Sequence, residues 1–141
     1  MKKLFAILTI AFTLTVFVNT TASAQCDTIS TICGEHITSD FISDGQSYIA
    51  LLNDEEVAEF HTTFFGGSTY RIAACSGFDD GNLIFSVFDK ERNLLFTSSE
   101  YGNAPYWDFE VNSTIDCIIE ANLNTDKVGS GCAVLLIGFQ E

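Results

Sequence analysis

The sequence predicts an all-β domain behind an export leader. Three observations carry the β assignment. Short runs rich in β-branched and aromatic residues recur at the spacing of sandwiches and barrels. Gly, Asp, Asn and Ser punctuate them. Within several runs apolar and polar residues alternate, the period of a half-buried strand.

The leader comes first. Met1, Lys2 and Lys3 precede an apolar run from Leu4 to Val18, and Asn19-Thr20-Thr21-Ala22-Ser23-Ala24 closes the segment. A charged start, an apolar stretch and a small-x-small end make a cleavable signal peptide over residues 1–24. Ala22 and Ala24 fit the shallow pockets of the peptidase, which places the cut before Gln25. The apolar run is shorter than the ~20 residues a spanning helix needs, and Thr9, Thr13 and Thr15 interrupt it. Gln25 stands where a lipid-modified Cys26 would require a small residue, so lipid anchoring is not expected. Nothing later in the chain is long and apolar enough to span a bilayer. The expected location is the periplasm or the extracellular space.

Residues 25–35 form a short segment containing Cys26 and Cys33. The strand candidates then run over His36–Phe41, Gln46–Leu52, Val57–Phe65, Thr69–Cys75, Asn82–Phe88, Leu94–Thr97, Pro105–Val111, Thr114–Leu123 and Cys132–Phe139. The domain therefore covers residues 36–141 with about eight or nine short strands. In Val57–Phe64, Ala58, Phe60, Thr62 and Phe64 share one face while Glu59, His61 and Thr63 share the other. Ala133–Ile137 is apolar on both faces, as a covered central strand is. Asn53-Asp54-Glu55-Glu56 carries a helix-start signal, with Glu56 placed to reach back to Asn53, and predicts one helical turn.

Charge excludes some partners. Lys2 and Lys3 leave with the leader. Arg71, Lys90, Arg92 and Lys127 then face nineteen acidic residues, a net charge of −15 for residues 25–141. An acidic surface of that strength repels phosphate backbones and anionic lipid, so neither nucleic acid nor membrane is expected as a partner. A monomer or weak oligomer is expected.

Five cysteines, Cys26, Cys33, Cys75, Cys117 and Cys132, lie beyond the leader, where disulfides persist. An odd count leaves at least one unpaired within the chain. Cys26–Cys33 closing a short loop, and Cys75–Cys117 across the domain, are the expected pairs. No cysteine–histidine spacing of a zinc site is present.

Candidate chemistry is sparse. His36 and His61 are the only histidines, and no G-x-S-x-G elbow appears, so an enzyme is not expected. Glu59 and His61 stand two apart on one strand face, where they can pair. Asp79, Asp80 and Asn82 cluster oxygens on a Gly-containing turn and are the candidate calcium ligands; otherwise no cofactor is expected. Asp54, Glu55 and Glu56 form a second acidic group, read as a solvated turn. Tyr101, Asn103, Tyr106, Trp107 and Asp108 are the candidate ligand-binding set, rings to stack on a ligand with polar groups beside them. Strand alternation puts Trp107 with Phe109 and Tyr106 with Asp108; large aromatics dominate small cores, which favours a core place for Trp107 over a ligand platform and leaves Tyr101 and Tyr106 as the better exposed candidates.

The order of elements from Glu56 to Phe139 carries a resemblance. Phe60-His61-Thr62-Thr63-Phe64 leads into Gly66-Gly67-Ser68-Thr69-Tyr70-Arg71-Ile72. Asn82 to Asp89, Asn93 to Phe96 and Ser130 to Ile137 come next. This resembles the bacterial pre-peptidase C-terminal domain. Tyr70-Arg71-Ile72, Pro105 to Phe109 and Leu136-Ile137-Gly138-Phe139 are similar to segments of small exported Bacteroidetes-type proteins. The resemblance implies a single antiparallel jelly-roll β-sandwich. It also implies a secreted accessory role in localisation or substrate contact, although these 141 residues contain no protease. The expected function is a non-catalytic exported module that binds an extracellular protein or a glycan. The alternatives are a structural or envelope-associated interaction protein without a small-molecule ligand and, third, a small secreted hydrolase.

Overall fold

The structure, a computed structural model, describes residues 21–141. The basic start and apolar run of the predicted leader lie outside the described residues. A helix, α1 (Thr21–Gly34), precedes eight strands: β1 (Ile42–Asn53), β2 (Val57–Phe64), β3 (Ser68–Cys75), β4 (Leu83–Asp89), β5 (Leu94–Thr97), β6 (Tyr106–Val111), β7 (Ile115–Leu123) and β8 (Ser130–Gln140). A 3₁₀ turn, Ser98–Tyr101, joins β5 to β6.

The strands form two four-stranded sheets, ordered β1-β8-β3-β6 and β2-β7-β4-β5. Every neighbouring pair is antiparallel. Each step along the chain crosses between the sheets except β4 to β5, which is the jelly-roll interleaving. The all-β sandwich expected from the sequence is therefore the observed fold.

The core between the sheets arises from strand alternation. β2 turns Ala58 and Phe64 inward and leaves Glu59, His61 and Thr63 outside. Ile72, Phe85, Ile119 and Leu135 are fully buried there. Ser98 is also fully buried, and its Oγ accepts the Phe85 amide at 3.1 Å, so no orphan donor results at the end of β5.

β8 is the central strand that its two apolar faces predict. Ala133, Leu135 and Ile137 meet the other sheet, while Cys132 and Val134 face α1. That second face makes a small separate core of Cys26, Ile29, Cys33, Ala73, Cys75, Cys132 and Val134. Two disulfides, Cys26–Cys132 and Cys33–Cys75, fasten α1 to β8 and β3.

Both expected cysteine pairs are corrected. Cys26 and Cys33 lie seven residues apart on one helix. At 1.5 Å per residue that is about 10 Å, beyond the ~7 Å Cα limit of a disulfide. Cys75 and Cys117 point into different cores, Cys75 outward under α1 and Cys117 inward between the sheets. Stacked sheets stand about 10 Å apart, so the two sulfurs do not meet. Cys117 is free and buried.

Two local expectations also change. The Cys-containing segment expected at 25–35 is helical up to Gly34, and α1 runs through the expected cleavage point. His36–Phe41 is a chain of turns instead of a strand, closed by Ile37 N–H to Gly34 O (3.0 Å) and Phe41 N–H to Thr38 O (2.9 Å). It crosses the outside of the first sheet at Gly138. A Cβ there would stand 3.0 Å from Ile37 Cγ2 and 3.1 Å from Phe41 Cβ, so the bare glycine allows the close approach. The helical turn expected at Asn53–Glu56 is a tight β1–β2 corner. The Asn53 amide still donates to the Glu56 carboxylate at 2.8 Å.

Candidate functional site

β6 carries three of the five ligand-binding candidates, Tyr106, Trp107 and Asp108, and divides them between the two faces of the first sheet. Trp107 and Phe109 point between the sheets, and Tyr106 and Asp108 point out, as the alternation predicts.

The outward pair is held by Arg71 from β3. Arg71 Nε and Nη2 donate to Asp108 Oδ1 and Oδ2 at 2.6 and 2.8 Å. Its guanidinium carbon lies 4.3 Å from the Phe41 ring centroid and 4.4 Å from that of Tyr106. Its Nη1 donates to the His36 carbonyl at 3.1 Å. The hydrogen bonds to Asp108 raise the pKa of this arginine above its ordinary value. A forked ion pair with rings on the cation is a strong, oriented contact. Here it clamps the 36–41 segment to the sheet, so Tyr106 and Asp108 are committed to the fold.

The inward pair belongs to an aromatic layer at the open side of the sandwich, where edge strands β5 and β6 lie. Phe96 is its hub, with ring centroids 5.1 Å from Trp107, 5.0 Å from Phe109 and 5.4 Å from Phe85. Tyr101, on the 3₁₀ turn, stacks on Phe96 at 5.4 Å with 12° between the planes and meets Trp107 at 4.3 Å. Gly102 (φ 67°) and Asn103 (φ 54°) then take left-handed conformations that bring the chain back into β6. Asn103 is thus a turn residue, and it lies against the Gly81 loop.

Beside this layer an apolar groove opens between the sheets, lined by Phe64, Val87, Leu95, Phe109, Val111 and Ile115, with Glu110, Asn112 and Ser113 on its lining and Cys117 at its wall. A bulge between Val87 and Phe88 leaves Leu95 without a strand partner. Leu94, Leu95 and Tyr101 are 53%, 51% and 51% exposed, so about half of each of these large apolar groups meets water. Leu94, Leu95 and Phe96 are absent from the candidate set drawn from the sequence. The signal was present: three consecutive large apolar residues on a four-residue strand cannot all point inward.

Burial pushes the Cys117 thiol up to about 11, with Asp116 and Asp89 adding to the shift. It is a neutral thiol at physiological pH and a poor nucleophile.

The calcium candidates do not converge. Asn82 is buried, and its amide donates inward to the Ser76 carbonyl at 2.8 Å. Asp80 Oδ1 bonds His36 Nε2 at 3.1 Å. Among the described residues no group of three His, Cys, Asp or Glu side chains is placed to hold a metal ion.

On the outer face of the second sheet, Glu59 stands opposite Glu120. Arg92 bridges them at 2.6 and 2.8 Å, and His61 Nε2 meets Glu59 Oε1 at 2.7 Å. The bond from Arg92, then that from His61, lowers the Glu59 pKa. The predicted Glu59–His61 contact exists, but an arginine completes it rather than a nucleophile.

Fold and site together define a jelly-roll sandwich with an aromatic, apolar side between two strand edges. No family model and no curated protein matches the chain. Among solved structures it is similar to Aeromonas hydrophila PliG, a periplasmic lysozyme inhibitor of g-type lysozyme, with a TM-score of 0.52 and 10% identity over 67% of this chain and 85% of that one. At that identity the likeness is one of fold. Among the described residues no helix is long and apolar enough to cross a membrane.

Proposed function

We propose that the protein is an exported, non-catalytic module that binds another protein through its β5–β6 side. One observation carries the reading: Tyr101, half exposed, covers the Phe96–Trp107–Phe109 layer, and half-exposed Leu95 lines the groove that opens between the sheets beside it. Contiguous exposed apolar surface marks an interaction site, and aromatic anchors dominate interface energetics. β5 and β6 are the edges of their sheets, and a free edge can take a partner's strand. The net charge of −15 over residues 25–141 favours a basic partner. PliG is a lysozyme inhibitor, so a protein partner is in keeping with this architecture. The pre-peptidase resemblance and the two disulfides are in keeping with export. A glycan is the weaker reading. Asp108 is bonded to Arg71 and Asn103 sits against the Gly81 loop, so two of the polar groups expected to meet a sugar are engaged elsewhere in the fold.

A photo-crosslinking side chain at position 95 or 101 tests this directly. Position 57, exposed on β2 at the far edge of its sheet, is the control. Protein adducts are expected at 95 and 101, with little at 57. No protein adduct, or equal yield at 57, refutes the assignment. Purified g-type lysozyme is the first defined protein to titrate, with Tyr101→Ala as the variant that weakens whatever binding is found.

A further inference from the structure

We infer that the exported chain carries a covalent modification at its new N-terminus, with Gln25 closed to pyroglutamate. The inference rests on the export reading above. Ala22-Ser23-Ala24 directs the cut that frees the α-amine of Gln25. An N-terminal glutamine holds its own electrophile. The α-nitrogen attacks the side-chain Cδ, the Cδ–Nε2 bond breaks, and the proton given up by the amine leaves on ammonia. A five-membered lactam remains, and no oxidant, reductant or co-reactant enters. Nucleophile and electrophile sit on one residue, which gives the step the high effective concentration of an intramolecular reaction.

The structure suits position 25 to this chemistry. Gln25 is exposed, while Cys26 beside it is buried and bonded to Cys132 on the central strand β8. The terminus is therefore anchored one residue from its end, with the reacting groups in solvent. The first N–H groups of a helix have no intrahelical acceptor, so the ring forms there without breaking a helix hydrogen bond. It also removes an ammonium charge from the positive end of the helix dipole. Asp27, two residues on, keeps a favourable negative charge in the shortened first turn. The modification also protects the neighbouring bridge. An aminopeptidase that removed two residues from an open terminus would delete Cys26, and with it the bond to β8.

The test uses the exported protein from the organism that makes it, quenched in acid, digested and read by mass spectrometry. A synthetic peptide beginning with free Gln25 goes through the same handling and must keep its full mass. The expected N-terminal peptide begins at residue 25, is lighter by one ammonia than the free-glutamine form, and resists aminopeptidase until pyroglutamyl peptidase is added. A chain beginning at residue 25 with a free amine and full mass overturns the modification and leaves export standing. A chain that begins elsewhere, or retains its leader, overturns the cleavage site and the modification with it.

Discussion

Replacing Cys33 and Cys75 together with alanine removes one of the two bolts that hold α1, and its cost can be worked from the connectivity. The Cys33–Cys75 bond spans 42 residues. On the chain-entropy model, a loop of that size stabilises by about 4 kcal/mol, and measured bridges commonly deliver about 2–4. Taking about 3 kcal/mol, and roughly 4 °C of Tm per kcal/mol for a domain of this size, the melt falls by about 12 °C. Both sulfurs are buried against Ala73, Val134 and Ile29, so the lost contacts add to the fall. The assay is thermal unfolding by circular dichroism without reductant, on the chain from Gln25. Peptide mapping under non-reducing conditions accompanies it. Linked peptides Cys26–Cys132 and Cys33–Cys75, with Cys117 free, are required. A Tm change within about 3 °C, or a Cys26–Cys33 peptide, refutes the reasoning, since the first denies the constraint and the second denies the helix.

The site geometry sets two further outcomes. A double-mutant cycle on Arg71→Met and Asp108→Asn is expected to give a coupling of about 1–2 kcal/mol, with faster amide exchange over residues 36–41; zero coupling denies the clamp. Cys117 is expected to resist iodoacetamide at pH 8 in the folded protein and to react fully in guanidinium. Its folded pKa, about 11, lies above the ordinary 9.0, so the folded state holds the proton longer than the unfolded state. The contribution of this thiol to stability is therefore full below pH 9 and is lost as pH rises through that window toward 11. Cys117→Ala is expected to abolish that alkaline loss, as tracked by urea unfolding.

Most of the sheet architecture was legible in the chain because strands advertise themselves by alternation. β2 shows it cleanly, and β8 announced its central place by being apolar on both faces. α1 was not legible in the same way, because Thr, Ser, Ile and Cys are weak helix formers and no run of strong ones marks it. Its signal lay in spacing: Cys26, Ile29 and Cys33 fall at i, i+3 and i+7, a single helical stripe, and tertiary contact with β8 and β3 overrides propensity. Missing the helix also misassigned the cysteines. His36–Phe41 has the composition of a strand, but the ladder beside β8 begins at Ile42 opposite Phe139, and no strand partner is left for it. At the candidate site, alternation separated Trp107 from Tyr106 correctly. It could not show that Arg71 would claim Asp108, because that contact joins residues 37 positions apart. Nor could it show that β5 would lie at an edge, where Leu95 remains half exposed.

The order in which the cysteines bond has a consequence for biogenesis. The chain emerges N-terminus first, so Cys26 arrives early and its partner Cys132 almost last, 106 residues later. Between them come Cys33, Cys75 and Cys117, each able to pair prematurely while β8 is still absent. Oxidation in order of arrival would join Cys26 to Cys33, a link the finished helix cannot contain. The native Cys26–Cys132 bond is therefore reached only if Cys26 stays unpaired until β8 has entered the sheet, or if a bond made too soon is exchanged. Maturation of this small sandwich thus includes a thiol–disulfide step that collapse of the sheets does not by itself complete.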